Sequence, residues 1–503
     1  MVLNIYVDRS ENHLVIETDD PQLHYYFEAQ SSNYEYIPWK KAYGYVNKVV
    51  KIYNPGRHSK GGMFVYKFNL GFTAFVLGVL QNKITREAYE AIMKEVILAN
   101  SYRTQEFGEL RDYQNQDILY LLRYKIGLFQ CYTGYGKSQC LAVLTKYFHE
   151  MGKNVLLVTP NNKARDELVK RCKKLYGMTI NNNDKTYDGN LDCFISAGLL
   201  HSKKVTDETL RKQFIEQLNK YDVVMADEVE YTINPSGKFI YDHCINARNF
   251  YGFSGTSDKQ AGESISFING LSDIVLRNKD MVSYFGPTLV YRMPVNRTIH
   301  NIKIQTDSMD RIPFDWDSIG KSGNAYNEIM QQIWTNDGVV KSIIKVVEAY
   351  PMCFIPLNNL NYIIKDWIEN YFRGKLKTLL ISSAGYTYFD LNGNIEHLDL
   401  EQACEKCKDG EVDCIPSTAS GFRALDLPGL QNILIVSGKI AGVHLQSIGR
   451  VARMESFNVI SLEPKSNRKI PIYSKGEAER DKLMKSYYKY CDIIDEIIQE
   501  EDL

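Results

Sequence analysis

The sequence predicts an α/β protein: two tandem parallel-sheet domains, a small α+β domain ahead of them, and a helix at the C-terminus. Three observations carry this prediction. Between about 105 and 280, continuously apolar runs alternate with amphipathic stretches, the pattern of a parallel sheet with helices on both faces. The same alternation returns after about 340. The chain has 503 residues, enough for roughly three domains at about 150 residues each.

In chain order, residues 1–95 read as the small α+β domain. Asn4–Val7 and His13–Glu17 alternate as strands, and Pro21–Ala29 reads as a short helix. Tyr45–Tyr53 and Met63–Phe68 read as strands around a Pro-Gly and Gly-Gly turn region, and Asn69–Leu80 as a helix. The middle of this domain carries Lys40, Lys41, Lys48, Lys51, Arg57, Lys60 and Lys67. Such a group is either a surface for a phosphate backbone or the solvated face of an ordinary sheet. Residues 105–280 read as the first parallel-sheet domain, with strands over Gly127–Gln130, Asn154–Thr159, Leu191–Ser196, Asp222–Ala226 and Asn249–Ser254. Residues 281–340 are less regular and read as a connection. Residues 341–465 read as the second domain. Its strands are Cys353–Leu357, Thr378–Ser382, Cys414–Ser417, Asn432–Ser437 and Asn458–Leu462, with helices such as Leu360–Phe372 and Leu445–Arg453 between some of them. The tail, 466–503, reads as helical. Leu483, Tyr487, Tyr490, Ile494 and Ile497 recur at spacings of four and three, as on one docked helix.

Composition narrows the class. Apolar residues make up 44% and charged residues 24%, as in a globular protein. No apolar run reaches the roughly 18 residues of a membrane span, and the N-terminus lacks a signal-peptide layout. The expected location is the cytoplasm, the host's if the protein is viral. A net charge of −1 argues against a globally basic nucleic-acid coat but not against a local basic groove. Ten cysteines are too sparse for a disulfide framework. Cys404, Cys407 and Cys414 lack the further paired ligands of a zinc finger and read as reduced thiols.

Two segments carry chemistry. Cys131-Tyr132-Thr133-Gly134-Tyr135-Gly136-Lys137-Ser138 follows an apolar strand and precedes an amphipathic helix. Such a turn wraps a polyphosphate with backbone N–H groups at a helix N-terminus. Lys137 is placed to meet the β/γ-phosphates and Ser138 to hold Mg²⁺. Cys131 stands where the strict P-loop pattern has glycine. Further on, the apolar run Asp222–Ala226 ends in Asp227-Glu228-Val229-Glu230. ATP hydrolysis needs one carboxylate for Mg²⁺ and another to orient water; Asp227 suits the first role and Glu228 the second.

Together these segments resemble superfamily 2 helicases and translocases, whose first motif is a Thr-Gly-x-Gly-Lys-Ser/Thr turn that does not require glycine at 131. Further segments match in order. Leu110-Arg111-Asp112-Tyr113-Gln114 resembles the element that reads adenine, which implies roles for Arg111, Tyr113 and Gln114. Val158-Thr159-Pro160 resembles motif Ia, and Phe253-Ser254-Gly255-Thr256 resembles motif III, which couples the ATP and nucleic-acid sites. Thr418, Gly421 and Ala424-Leu425-Asp426-Leu427-Pro428 resemble motif V. Gln446-Ser447-Ile448-Gly449-Arg450-Val451-Ala452-Arg453 resembles motif VI. The resemblance implies two RecA-like domains whose closing and opening follow the ATP cycle. Thr133, Gly134, Gly136, Lys137, Ser138 and Asp426 would contact nucleotide, and Gln446, Arg450 and Arg453 would complete the γ-phosphate site. Thr159, Pro160, Ser196 and Thr418 would lie on the nucleic-acid side, and Glu230, Ser254 and Thr256 would couple the two. Many relatives carry His or Asp where this chain has Glu230, so altered coupling is expected.

Within the superfamily the layout is similar to phage UvsW-type branch-migration helicases, including Tyr284-Phe285-Gly286-Pro287-Thr288 after motif III. In that family the N-terminal domain is a DNA-binding accessory, which favours a DNA role for the basic strands, Lys48 and Lys51 among them. The resemblance implies an ATP- and Mg²⁺-dependent DNA helicase or translocase acting on forked or branched duplexes in replication, recombination or repair. It would act as a monomer, with single-strand-binding or recombination proteins as possible partners and no membrane. Two other readings stay open: an RNA helicase or transcript-release factor, and a nucleotide-gated scaffold without turnover.

Overall fold

The computed structural model describes all residues except 1–2, 38–41, 57–61, 133, 183–187, 256–278, 316–318, 320–324, 358–360, 383, 419–426, 437–447, 450, 452–453, 467 and 471–472, and the side chains of 29–48, 163 and 361. The chain divides into two compact units, the first ending at Arg292 and the second beginning its main run at Met293.

The first unit opens with the α+β domain. Strands β1 (Leu3–Asp8), β2 (His13–Thr18), β5 (Asn54–Pro55) and β6 (Phe64–Asn69) form an antiparallel sheet, and β3 (Glu28–Ile37) pairs with β4 (Ala42–Lys51) as a separate hairpin. The helix expected over Pro21–Ala29 is a shorter 3₁₀ turn, Leu23–Phe27, and β3 starts directly after it. This domain shares one core with the sheet that follows: Phe68, Leu77 and Val96 belong to the same apolar cluster as Leu128, Val224 and Phe285. The contact is close. A Cβ on Gly71 would meet the Val282 carbonyl oxygen at 1.9 Å.

The main sheet of this unit contains β7 (Ile126–Cys131), β8 (Val155–Thr159), β9 (Leu191–Ile195), β10 (Val223–Ala226), β11 (Asn249–Ser254) and β12 (Thr288–Arg292). Their order is β12-β7-β11-β10-β8-β9, and all are parallel. Strands β7, β8 and β10 are buried along their whole length, which explains their unbroken apolar sequence.

The second unit has a nine-stranded sheet: β13 (Val295–Thr306), β14 (Cys353–Pro356), β15 (Thr378–Ser382), β16 (Gly385–Phe389), β17 (Ile395–Leu398), β18 (Cys414–Ser417), β19 (Asn432–Ile435), β20 (Ser456–Pro464) and β21 (Tyr490–Gln499). The order is β17-β16-β15-β18-β14-β19-β20-β13-β21, parallel except for the β15-β16-β17 meander at one edge. Apolar clusters pack on it, one containing Trp334, Trp367 and Ile460, another Phe354, Ile433 and Tyr488. The two sheets are the tandem RecA-like domains. Among the described residues no helix is long and apolar enough to cross a membrane.

Two expectations need correction. The stretch 281–340 is not merely a connection: β12 completes the first sheet and β13 is an interior strand of the second. Polar residues hid β13 in the sequence, and neighbouring elements satisfy them. His300 pairs with Glu496 at 2.7 Å, Asn301 donates to Asp495 at 2.7 Å, and Lys303 reaches Glu463 and Asp481. The C-terminal helix is present as Tyr473–Tyr487, but the tail is not helical to its end, because β21 pairs in parallel with β13. The β-branched pairs Ile493-Ile494 and Ile497-Ile498 suit a strand, with Ile494 and Ile497 exposed at the sheet edge.

Candidate active site

β7 ends at the buried Cys131, and the helix Lys137–Glu150 begins six residues on. Gly136 makes the turn with φ +101°, a conformation that disfavours any side chain. A Cβ there would also strike Gln114 Nε2 at 2.5 Å. No side chain caps this helix, so its first N–H groups point into the turn as an anion cradle. Burial pushes the Cys131 thiol well up, so cysteine here serves as a small apolar residue.

The neighbouring strands bring the acids. Asp227 and Glu228 follow β10, and Glu228 Oε1 lies 3.4 Å from Lys137 Nζ. Glu228 has φ +46° and its N–H donates to Asp227 Oδ1 at 3.0 Å. A non-glycine residue held there is strained by about 1–3 kcal/mol, and such strain clusters at functional sites. Burial, then the Glu228 charge, pushes the Asp227 carboxyl above its usual range. The same causes act on Glu230, whose carboxyl is hydrogen-bonded to the side chains of Ser254 and Glu228. Burial alone would pull the Lys137 ammonium down, but the facing carboxylates, Glu228 foremost, outweigh it and hold it above its usual range. Three carboxyls around one ammonium leave an excess of oxygen ligands, suited to a divalent cation. Among the described residues no three His, Cys, Asp or Glu side chains form a metal cage. The Ser138 hydroxyl and the Asp227 carboxylate instead suit Mg²⁺, which binds through few protein oxygens, with phosphate and water supplying the rest.

The element before β7 locks onto this turn. The Gln114 amide accepts from Arg111 N at 3.0 Å and donates to the Tyr135 carbonyl at 2.8 Å, while Arg111 Nη1 donates to Tyr113 OH at 2.8 Å. Gln114 is buried, so the structure shows it bracing the turn. The Tyr135 hydroxyl donates to Asp117 Oδ2 at 2.7 Å, and Arg292 grips both oxygens of Asp117 at 2.6 and 2.7 Å. This chain of contacts was missed in the sequence because Tyr135 sits at a variable motif position and Arg292 lies far along the chain. One local signal did exist: Asp117 recurs three residues after Gln114 on the same helix face.

Residues 107–259 match the model of a family described as type III restriction enzyme, res subunit. No curated protein matches the chain. Among solved structures, UvsW of bacteriophage T4 aligns at 15% identity over 99% of this chain and 100% of that one, with a TM-score of 0.38. Dbp5 of S. cerevisiae, bound to RNA and ADP BeF3, aligns at 11% over 78% of this chain and 90% of that one, TM-score 0.47. The Lhr helicase of Mycobacterium smegmatis, bound to ssDNA and AMP-PNP, aligns at 13% over 71% and 46%, TM-score 0.42.

The other sequence-marked residues fall into three groups. Thr133, Thr256, Asp426, Gln446, Arg450 and Arg453 lie outside the described residues, as does the Lys48 side chain. Thr159, Pro160, Ser196 and Thr418, expected on the nucleic-acid side, are buried in this structure. Ser196 N donates to the Thr159 carbonyl at 2.9 Å, and Ser196 Oγ accepts from Asn234 at 3.0 Å. These groups tie strand-end loops together. Lys51 is half exposed and paired with Glu28 at 2.9 Å, and Lys67 is paired with Glu11, so both charges are already matched by a carboxylate.

Proposed function

We propose that this protein is a superfamily 2 helicase-type ATPase, an ATP-driven DNA motor that remodels forked or branched duplexes. The observation that carries the ATPase part is the contact of Lys137 with Glu228 beside Asp227, at the mouth of an uncapped helix. The DNA and branched-substrate part is supported by the sequence layout.

In this reading the helix N-terminus and Lys137 hold the phosphates, and their positive charge offsets what builds up as the γ-phosphoryl group leaves. Ser138 and Asp227 hold Mg²⁺, which would neutralise charge on the β/γ-phosphate oxygens when bound. Glu228 orients the attacking water and accepts its proton, and its left-handed backbone aims the carboxylate at Lys137. Glu230, bonded to Ser254, relays the state of the phosphate site. Gln446, Arg450 and Arg453 are assigned to the γ-phosphate from the sequence. Strand contacts in this reading are mainly to phosphates, so binding is sequence-tolerant and salt-sensitive.

The test is an ATPase panel with single-stranded DNA, duplex, fork, four-way junction and RNA, with Lys137→Ala as the control. The expected result is stimulation strongest with fork or junction DNA, lost in Lys137→Ala and on chelation of Mg²⁺. Stimulation by RNA alone would replace the DNA reading with an RNA motor. Nucleic-acid binding with no hydrolysis on any of the five would leave a nucleotide-gated scaffold.

A further inference from the structure

The catalytic turn sits at the C-terminal ends of the parallel strands. At the opposite ends, where β7 and β11 begin, the first unit has a cavity of about 370 Å³ between the α+β domain and the main sheet. Arg9, Glu95 and Arg248 line it and also line an adjoining recess that adds Lys94 and Lys125. Three of these cations converge. Arg9 Nη2 and Lys125 Nζ donate to the same oxygen, the Glu95 carbonyl, at 3.2 and 2.9 Å. Lys125 also bonds the Lys94 carbonyl at 2.6 Å, and Arg248 bonds the Ile245 carbonyl at 3.2 Å.

Carboxylates do not match this charge. Glu95 pairs with Arg9 at 2.9 Å. Of the other acids at hand, Glu11 is taken by Lys67, Asp242 accepts from Tyr284 OH at 2.6 Å, and Asp222 is bonded to Asn154 N at 2.9 Å and lies 3.9 Å from Lys153. Among the described residues neither Lys125 nor Arg248 forms an ion pair. Burial, then the charge of Arg9, holds both below their usual ranges and outweighs the pull of Glu95, as expected for buried cations beside a like charge. On the same wall the His13 Nδ1 is buried, makes no hydrogen bond and lies 3.9 Å from Glu11 Oε2.

We propose that Arg9, Lys125 and Arg248 form a second phosphate-binding site, separate from the catalytic turn. Two guanidinium groups and an ammonium around an open polar cavity suit a phosphoryl oxygen cluster, carried either on a nucleic-acid backbone or by a free phosphate. Helix-end carbonyls hold the cations in place, and an anion supplies the charge they lack.

The experiment uses the full chain saturated with Mg²⁺ and a non-hydrolysable ATP analogue, so that the catalytic turn is filled. Inorganic phosphate is titrated by calorimetry, and binding of a DNA duplex is followed by anisotropy across salt concentrations. The variants are Arg248→Gln, Lys125→Gln, their double and the charge-keeping Arg248→Lys, each checked for an unchanged melting transition. Arg248 is exposed and bonds only carbonyls, so its single variant is expected to fold even if the double does not. Loss of phosphate heat in the Gln variants, together with a salt slope shallower by about two in the double, assigns the site to backbone phosphates. Loss of phosphate heat with an unchanged slope assigns it to free phosphate. Unaltered heat and slope in Arg248→Gln, or no phosphate or duplex binding by the unmodified chain, overturns the proposal. Failure of the analogue to bind would count against the ATPase reading alone, since the phosphate titration reads the second site either way.

Discussion

The two ends of the first parallel sheet carry opposite chemistry. At the C-terminal ends, Asp227, Glu228 and Glu230 surround one cation, Lys137. At the N-terminal ends, Arg9, Lys125 and Arg248 surround one paired carboxylate, Glu95. The direction of the backbone accounts for the contrast. Helix N-termini point at the C-terminal strand ends and supply N–H groups for phosphate. Side chains there are free to be acidic and to hold the accompanying divalent cation. At the other end the chain presents carbonyls, such as those of Lys94 and Glu95. These attract cations, so positive charge must come from side chains. A site for a metal-bound polyphosphate and a site for a bare anion can thus share one sheet without competing.

Several substitutions test the contrast. The largest effect is expected at the front. Glu228→Gln removes the proton acceptor while leaving the cradle, so turnover should fall by about 10²–10⁴-fold, with nucleotide binding kept in an equilibrium titration. If binding falls as far as turnover, Glu228 is part of the cradle. Gly136→Ala should harm both binding and folding. The left-handed backbone alone costs about 1–3 kcal/mol, and the new methyl displaces Gln114. A melting curve and a nucleotide titration read the two losses separately. At the rear, Gly71→Ala drives a methyl into the Val282 carbonyl and should destabilise the unit by about 1–3 kcal/mol, visible as an earlier denaturant midpoint. If the α+β domain and the sheet melt separately in that variant, their shared core is not one cooperative body. The smallest effect on turnover is expected from Tyr135→Phe. It removes one hydrogen bond to a charged Asp117, worth about 1.5–3 kcal/mol, and keeps the ring packed on Phe129 and Tyr113. A modest rise in KM for ATP with little change in kcat would show that Tyr135 positions the turn.

Legibility followed locality. The strand–turn–helix around Gly136, the acidic pair after β10 and the continuously apolar strands were readable because each is a short contiguous pattern with one physical cause. Strands β12 and β13 were not. The stretch that holds them is less regular, and His300, Asn301 and Lys303 interrupt the apolar run. Their partners come from β20, β21 and the helix Tyr473–Tyr487, more than a hundred residues later. The tail misled for a related reason: Ile494 and Ile497 sit at a helical spacing, yet in β21 they lie on opposite faces of an exposed edge strand, and only pairing with β13 decides between the two. Thr159 and Ser196 were correctly placed at strand ends, but their hydroxyls turn inward to bond neighbouring loops.

Sequence by itself determined the class of fold, the glycine-rich turn between β7 and its helix, and the acids that follow β10, because these depend on residues adjacent in the chain and on the period of their side chains. Tertiary structure alone decided that Glu228 meets Lys137, that Tyr135 is braced through Asp117 by Arg292, and that Arg9 and Lys125 share the Glu95 carbonyl in a recess that Arg248 also lines. Those contacts join segments separated by tens to hundreds of residues. Their energies depend on burial and distance, which a linear pattern does not contain.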